Sequence, residues 1–193
     1  MFLDVDCISG PDLFRRYQAS VRDAERRLLC GPVAYLPPRP PGGYRPEALA
    51  DMADPHPARP APPDGVCVDG EDHALFRSLS FAATMPLWTR SAGFHEGYRG
   101  YGGEDTDLGQ QARVLGIGLR WVGGATAYHQ HHPITDPPVE HLDDILRNAA
   151  LFHSRWGWWP MRGCSTASRT RGWSATTRYV IAGNASGTGN GHA

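Results

Sequence analysis

Apolar residues recur along the chain at two spacings, which divide it into strand-like and helix-like segments. Residues 1–8 are apolar apart from two aspartates, a pattern that predicts a buried strand. Apolar positions three and four residues apart predict one amphipathic helix over residues 9–31 and another over residues 139–152. Shorter apolar runs predict strands over residues 32–36, 76–85, 119–122 and 125–129.

Prolines and glycines predict how these segments are connected. Residues 32–63 hold 11 of the 17 prolines, and residues 37–72 are therefore predicted to form a long surface loop. Four glycines within residues 97–103 predict tight turns. On either side of this glycine run, a short helix or turn is predicted over residues 86–94 and a helix over residues 105–115.

Alternation of strands and helices predicts an α/β protein in which helices flank a mixed sheet. Residues 1–163 are expected to form one catalytic portion. Residues 164–193 are rich in Ser, Thr, Gly and Arg, and most of this tail is predicted to be disordered.

Charge and composition exclude several classes of protein. A net charge of -1 gives no strong field to attract nucleic acid or an acidic membrane surface. No apolar run reaches the roughly 18 residues that a membrane helix needs, and the acidic start is unlike a secretory signal. Four scattered cysteines without a CxxC pair fit a reducing compartment. We therefore expect a cytoplasmic protein, with a peripheral position at the inner face of the membrane as the alternative.

Two pairs of acids are candidates for chemistry. Asp4 and Asp6 lie at the end of the first predicted strand, where carboxylates at i and i+2 share one face and offer oxygen ligands to a divalent cation. A turn whose acids cap the next helix is the alternative. Glu104 and Asp105 follow the glycine run at the start of a helix, and one of them is a candidate general base. Helix capping is the alternative for these acids and the expected role of Asp107.

Histidines are concentrated late in the chain, in the run Tyr-His-Gln-His-His that ends at residue 132. In an extended segment His129 and His131 point to one side and His132 to the other. A neutral imidazole is a ligand for manganese or zinc. The alternative for each histidine is an ordinary hydrogen-bonded residue.

The order and rough spacing of these groups resemble GT-A-fold glycosyltransferases, in particular bacterial family-2-type enzymes with a galactosyltransferase-like C-terminal region. Residues 2–6 are similar to their strand-plus-DxD element. Residues 81–107, with the run Gly-Tyr-Gly-Gly-Glu-Asp-Thr-Asp, resemble the acceptor-side motif of the galactosyltransferases. The resemblance covers about residues 1–160 and implies a partial GT-A fold, the acceptor-side half.

The resemblance implies a role for each donor-side residue. Asp6 would bind Mn²⁺ or Mg²⁺, and Asp4 would lie near the nucleotide-sugar donor. His129 matches the late histidine that completes the metal site, with His131 as the alternative.

It also implies the acceptor-side roles. Asp105 would be the catalytic base, and Glu104, Tyr101 and Gly103 would bind a glycan, lipid or small-molecule acceptor. Tyr101 stands where the animal galactosyltransferases have tryptophan, and Thr106 replaces an acid of theirs. These two departures leave the sugar and the acceptor open.

The implied function is metal-dependent transfer of a sugar, with inversion, from a nucleotide-diphosphate donor to an acceptor hydroxyl. One alternative is a metal-dependent hydrolase that uses the histidines and aspartates. Another is a non-catalytic fragment that binds a glycan or a partner chain through the tryptophan-rich run at residues 156–159. In the family, nucleotide-binding strands precede the DxD element, whereas only three residues precede Asp4 here. The chain is therefore predicted to be N-terminally truncated, to fold poorly as written and not to bind donor.

Overall fold

The computed structural model describes residues 1–57, 59–133 and 139–160. Within these ranges the chain is a mixed α/β structure with two mixed sheets and five α-helices. The α/β class expected from the sequence is therefore confirmed. The predicted tail at residues 164–193 lies outside the described residues.

The first sheet has five strands, in the order β1-β7-β3-β8-β6. The central pair, β3 and β8, is parallel, and the other neighbours are antiparallel. The strands are β1 (Phe2–Leu3), β3 (Arg27–Cys30), β6 (Cys67–Gly70), β7 (Ser80–Ala82) and β8 (Gly118–Val122).

The second sheet has four strands, in the order β2-β9-β4-β5. Its central pair, β4 and β9, is again parallel. Within the described residues, the chain passes directly from a strand of the first sheet to a strand of the second three times, between β1 and β2, between β3 and β4, and between β8 and β9. The strands are β2 (Cys7–Ser9), β4 (Val33–Tyr35), β5 (Asp54–Pro55) and β9 (Ala127–His129).

Helices cover both faces of the first sheet because its central strands are apolar on both sides. Leu29 of β3 packs with the helix α1 residues Leu13 and Tyr17, whereas Leu28 packs with Phe76 and with Leu108 of α4 on the other face. None of the helices in the described part of the chain is both long and apolar enough to span a membrane. The helices are α1 (Leu13–Ser20), α2 (Leu49–Met52), α3 (Met85–Ser91), α4 (Glu104–Val114) and α5 (Leu142–Trp156).

Three expectations about local structure are wrong. The strand predicted over residues 1–8 is interrupted by a turn, in which Val5 is 96% exposed, and its two halves join different sheets. The helix predicted over residues 9–31 ends at Ser20, and Leu28 lies in β3 because that segment pairs with two neighbouring strands. The predicted loop at residues 37–72 contains α2, β5 and β6, of which β5 and β6 are held by pairing with β4 and β8.

Candidate functional site

The turn between β1 and β2 places Asp4 and Asp6 at the boundary of the two sheets. The Asp4 backbone N–H donates to the Leu79 carbonyl at 3.0 Å, and the Val5 N–H donates to the Asp4 carboxylate at 2.7 Å. β2 then pairs with β9, so that Cys7 lies opposite His129. The two aspartates are therefore presented by a turn and not by the face of a strand.

Asp6, His129 and His132 form a cluster whose ligand atoms all lie within 4.8 Å of one another. The Asp6 Oδ2 lies 3.2 Å from Nε2 of His129 and 3.5 Å from Nε2 of His132. The Asp6 Oδ1 is buried and has no hydrogen-bond partner among the described residues. One carboxylate oxygen is thus left unsatisfied beside two imidazoles, which is costly unless a ligand occupies the site.

His129, the histidine that the resemblance assigns to the metal, lies in the cluster, whereas its alternative His131 does not. The second histidine of the cluster is His132, which an extended segment would place on the opposite side from His129. β9 ends at His129, so the strict alternation of a strand does not continue beyond it. His131 is exposed, and its backbone N–H donates to the Tyr44 hydroxyl at 3.3 Å. The nearby Cys7 thiol is buried, and burial together with Asp6 and Asp4 raises its pKa to about 12, so it is a neutral neighbour.

A cleft of about 690 Å³ opens beside this turn. Asp4 and Glu104 both line it, although they come from opposite halves of the chain. The rest of its lining is largely apolar and aromatic, with Phe2, Phe81 and Phe94 along one wall. The cleft also has polar and charged groups, among them Ser78, His95 and Glu96, so it combines apolar walls with several groups that can bind a ligand.

Glu104 and Asp105, the first two residues of α4, have different surroundings. Glu104 lines the cleft, and its Oε2 is buried without a hydrogen-bond partner among the described residues. Burial raises its pKa, and the neighbouring carboxylates of Asp105 and Asp4 raise it further. The Asp105 Oδ1 instead accepts a hydrogen bond from the Ser78 backbone at 2.9 Å. Of the two acids, Glu104 is therefore the one that lines the cleft with a buried oxygen left unpaired among the described residues.

Two half-buried arginines connect the cleft acids to the histidine cluster. The Arg59 guanidinium lies beside the Tyr35 hydroxyl and within electrostatic range of Arg77 and Asp105. The Tyr35 ring centroid is 5.1 Å from that of His129. Burial and the nearby Arg77 lower the pKa of Arg59. Neither arginine lies within 4.0 Å of a carboxylate in the part of the chain that the structure describes.

Tyr101 and Gly103 belong to the glycine run that leads into α4. Gly103 is the N-cap of α4 with φ of +100°, and its ideal Cβ would lie 2.9 Å from the Tyr98 ring. Tyr101 is 44% exposed, and its ring stacks on His141 with centroids 4.6 Å apart. The run therefore carries an accessible aromatic ring close to the start of α4.

Asp107 has a different role from the helix cap expected of it. It is 1% exposed and accepts hydrogen bonds from the Tyr98 hydroxyl at 3.0 Å, Arg155 Nε at 2.7 Å and Trp156 Nε1 at 2.6 Å. It thus ties α5 to α4. The tryptophans after α5 also pack on that helix, with the Trp158 ring 4.6 Å from Phe152.

The site combines features expected from the sequence with features that only the fold reveals. Comparison with known protein families and with curated proteins gives no match for this chain. The chemistry of the side chains is therefore the guide to what the cleft binds. That chemistry is a carboxylate–imidazole cluster beside an acid-bearing cleft, with two arginines between them.

Proposed function

We propose that this chain forms the acceptor-side part of a metal-dependent glycosyltransferase with a GT-A-like arrangement. It would transfer a sugar from a nucleotide-diphosphate donor to an acceptor hydroxyl with inversion. The observation that carries the proposal is that one turn supplies Asp6 to the Asp6–His129–His132 cluster and Asp4 to a cleft that also contains Glu104. The sequence resemblance assigns Asp6 and His129 to the metal, Asp4 to the donor and Glu104 to the acceptor, whereas His132 is added by the structure.

The Asp6–His129–His132 cluster fits a divalent cation. The orphaned Asp6 Oδ1 and the two clustered imidazoles offer a mixed oxygen and nitrogen donor set. This set favours Mn²⁺ over Mg²⁺, since Mg²⁺ prefers oxygen ligands, and it also suits ferrous ion and zinc. When bound, the cation would neutralise negative charge on the diphosphate of the leaving nucleotide.

The arginines supply a second source of positive charge for the diphosphate. Burial lowers the pKa of Arg59, and the positive charge of the neighbouring Arg77 lowers it further, so the two guanidinium groups lie close enough to repel. A diphosphate between them would relieve the repulsion through charge-assisted hydrogen bonds. Arg59 and Arg77 are therefore the residues that we assign to the diphosphate of the donor.

Glu104 is the residue we assign to proton removal, with Asp105 as the alternative from the family resemblance. The acceptor hydroxyl would give its proton to Glu104 while its oxygen attacks the anomeric carbon. The bond to the nucleoside diphosphate breaks on the opposite face, so the anomeric configuration inverts. A base with a raised pKa suits this role because its affinity for the proton is greater.

Mn²⁺ binding to two neighbouring histidine variants tests the cation site. His132→Gln should weaken Mn²⁺ affinity by roughly tenfold or more, since it removes one of three ligands. His131→Gln is the matched control and should leave the affinity unchanged, because His131 lies outside the cluster. Isothermal titration with Mn²⁺, Fe²⁺, Zn²⁺ and Mg²⁺ measures both. An equal loss in the two variants would refute the ligand assignment.

A panel of nucleotide sugars tests the reaction. The chain, and the same chain extended upstream in its reading frame, would be assayed with and without Mn²⁺ for binding, hydrolysis and transfer. Sugar transfer that requires Mn²⁺ and is lost in Glu104→Gln supports the proposal. Release of sugar or phosphate regardless of acceptor would favour the hydrolase, and glycan binding without metal would favour a binding fragment.

A further inference from the structure

We propose that Asn148 of α5 is a positioning residue that holds Glu104 in the cleft. It would do so by fixing the glycine-rich run, residues 97–103, whose last residue caps α4. This inference rests on the proposed function in one respect, because the proposed function is what makes Glu104 the catalytic base. The geometric claim concerns where the Glu104 carboxyl lies, and that can be measured without any sugar transfer.

The hydrogen bonds of Asn148 are directed to the glycine-rich run. Its side-chain amide donates to three backbone carbonyls, those of Arg99 at 3.0 Å, Tyr101 at 3.1 Å and Gly102 at 2.8 Å. Its Oδ1 accepts the Arg99 N–H at 3.3 Å. Asn148 is 1% exposed. The two amide hydrogens are shared among the three carbonyls, so the buried side chain contacts the loop backbone at four points. Another loop conformation would break these bonds and leave the buried amide of Asn148 without its partners.

A second residue of α5, Asp144, also restricts the conformation of the glycine-rich run. The Asp144 carboxylate accepts the Tyr101 N–H at 3.2 Å. Gly100 adopts φ of +67°, and a Cβ at that position would overlap the Asp144 carboxylate. The loop is therefore fitted to α5 so closely that a glycine is required where the two meet.

The fixed loop determines where α4 begins. Gly103 follows the residues that Asn148 holds, and Glu104 is the first residue of the helix. A relaxed loop would let the first turn of α4 rotate and expose Glu104 to water. Asn148 itself lies on the apolar face of α5, between Ile145 and Phe152 in the helical repeat, a position where a polar residue has no packing advantage.

The titration of the Glu104 carboxyl reports its position. The charged or titratable groups around it are Asp4, Asp105, Arg77 and Tyr98, together with His95 and Glu96 of the cleft lining. Burial is the largest cause of its raised pKa, so loss of burial should move the titration towards the ordinary value of 4.5. Carboxyl ¹³C NMR, with the signal assigned by its absence in Glu104→Gln, measures this directly.

The test compares variants of α5 in the full chain. Asn148→Ser and Asp144→Ala each remove loop contacts, and both should lower the midpoint of the Glu104 titration. Phe152→Leu is the control, because it loosens the packing of α5 without removing a hydrogen bond to the loop. It should reduce stability while leaving the Glu104 midpoint unchanged. An unchanged midpoint in both loop variants, or an equal shift in the control, would overturn the proposal.

If the chain transfers sugar, the same variants have a kinetic signature. Asn148→Ser should lower kcat and shift the acidic limb of the pH profile downwards, with Mn²⁺ affinity unchanged. If the wild-type chain transfers no sugar, the proposed reaction fails while the NMR result still decides the role of Asn148. Failure of the proposed reaction and failure of the proposed role of Asn148 would therefore be distinguished by separate measurements.

Discussion

Asp107→Asn should destabilise the protein substantially, because Asp107 anchors α5 to α4 through a buried charge. Its carboxylate accepts from Tyr98, Trp156 and twice from Arg155, the second time at 3.3 Å. Removing one partner of a buried ion pair costs about 3–5 kcal/mol. The Arg155 side chain is 24% exposed, and water screens part of its charge. Asparagine also retains one acceptor oxygen, so we expect a loss of about 2–3 kcal/mol, or roughly 4–12 °C in Tm.

Urea denaturation measures this loss, with Asp143→Asn on the exposed face of α5 as the matched control. The control should change stability by about 0.5 kcal/mol or less. Adding Arg155→Met to Asp107→Asn should cost less than the sum of the two single changes, because no uncompensated charge remains buried. A loss below about 0.5 kcal/mol for Asp107→Asn, or strict additivity in the double variant, would refute the view of Asp107 as an anchor.

Two further predictions concern the acid and the glycine run of the cleft. Because the pKa of Glu104 is raised on folding, its protonation stabilises the fold fully below 4.5, and this contribution is lost as pH rises through the raised value. Glu104→Gln should therefore increase the unfolding free energy at pH 7 by about 1 kcal/mol and by less at acidic pH, and a pH series of urea melts measures the difference. Gly100→Ala should destabilise more than Gly116→Ala, since both have positive φ but only Gly100 faces Asp144. Equal losses in thermal melts would show that the contact with α5 has no effect.

Local sequence patterns predicted those helices and strands whose conformation depends mainly on their own residues. α5 follows helical spacing, and Gly157 at its end has φ of +74°. α4 lies between Gly103 and Gly116, close to its predicted bounds, and α3 lies where a short helix or turn is predicted. The strand β4 also lies within its predicted range. By contrast, β5 and β6 exist because β4 and β8 offer free edges to a proline-rich segment. A local pattern contains no information about such distant partners.

Some residues of the candidate site can likewise be predicted from the sequence, whereas others depend on the fold. The aspartate turn and the acids after the glycine run are visible in the sequence because their residue types and order carry the chemistry. The sequence does not identify His132 as a member of the cluster, since its position depends on where β9 ends. Asn148 gave a faint signal as a polar residue on an apolar helix face. Arg155 gave none, because its partner Asp107 is brought to it only by the packing of α5 on α4.

The two parallel ladders, β3 with β8 and β4 with β9, bear on the order in which the molecule assembles. Each joins an early segment of the chain to a much later one. Contacts so distant in sequence form slowly, since a long loop must close first. Asp6 and His129 meet only after β2 has found β9. If the Asp6–His129–His132 cluster binds a cation as proposed, uptake of the cation during refolding would therefore report that β2 and β9 have paired.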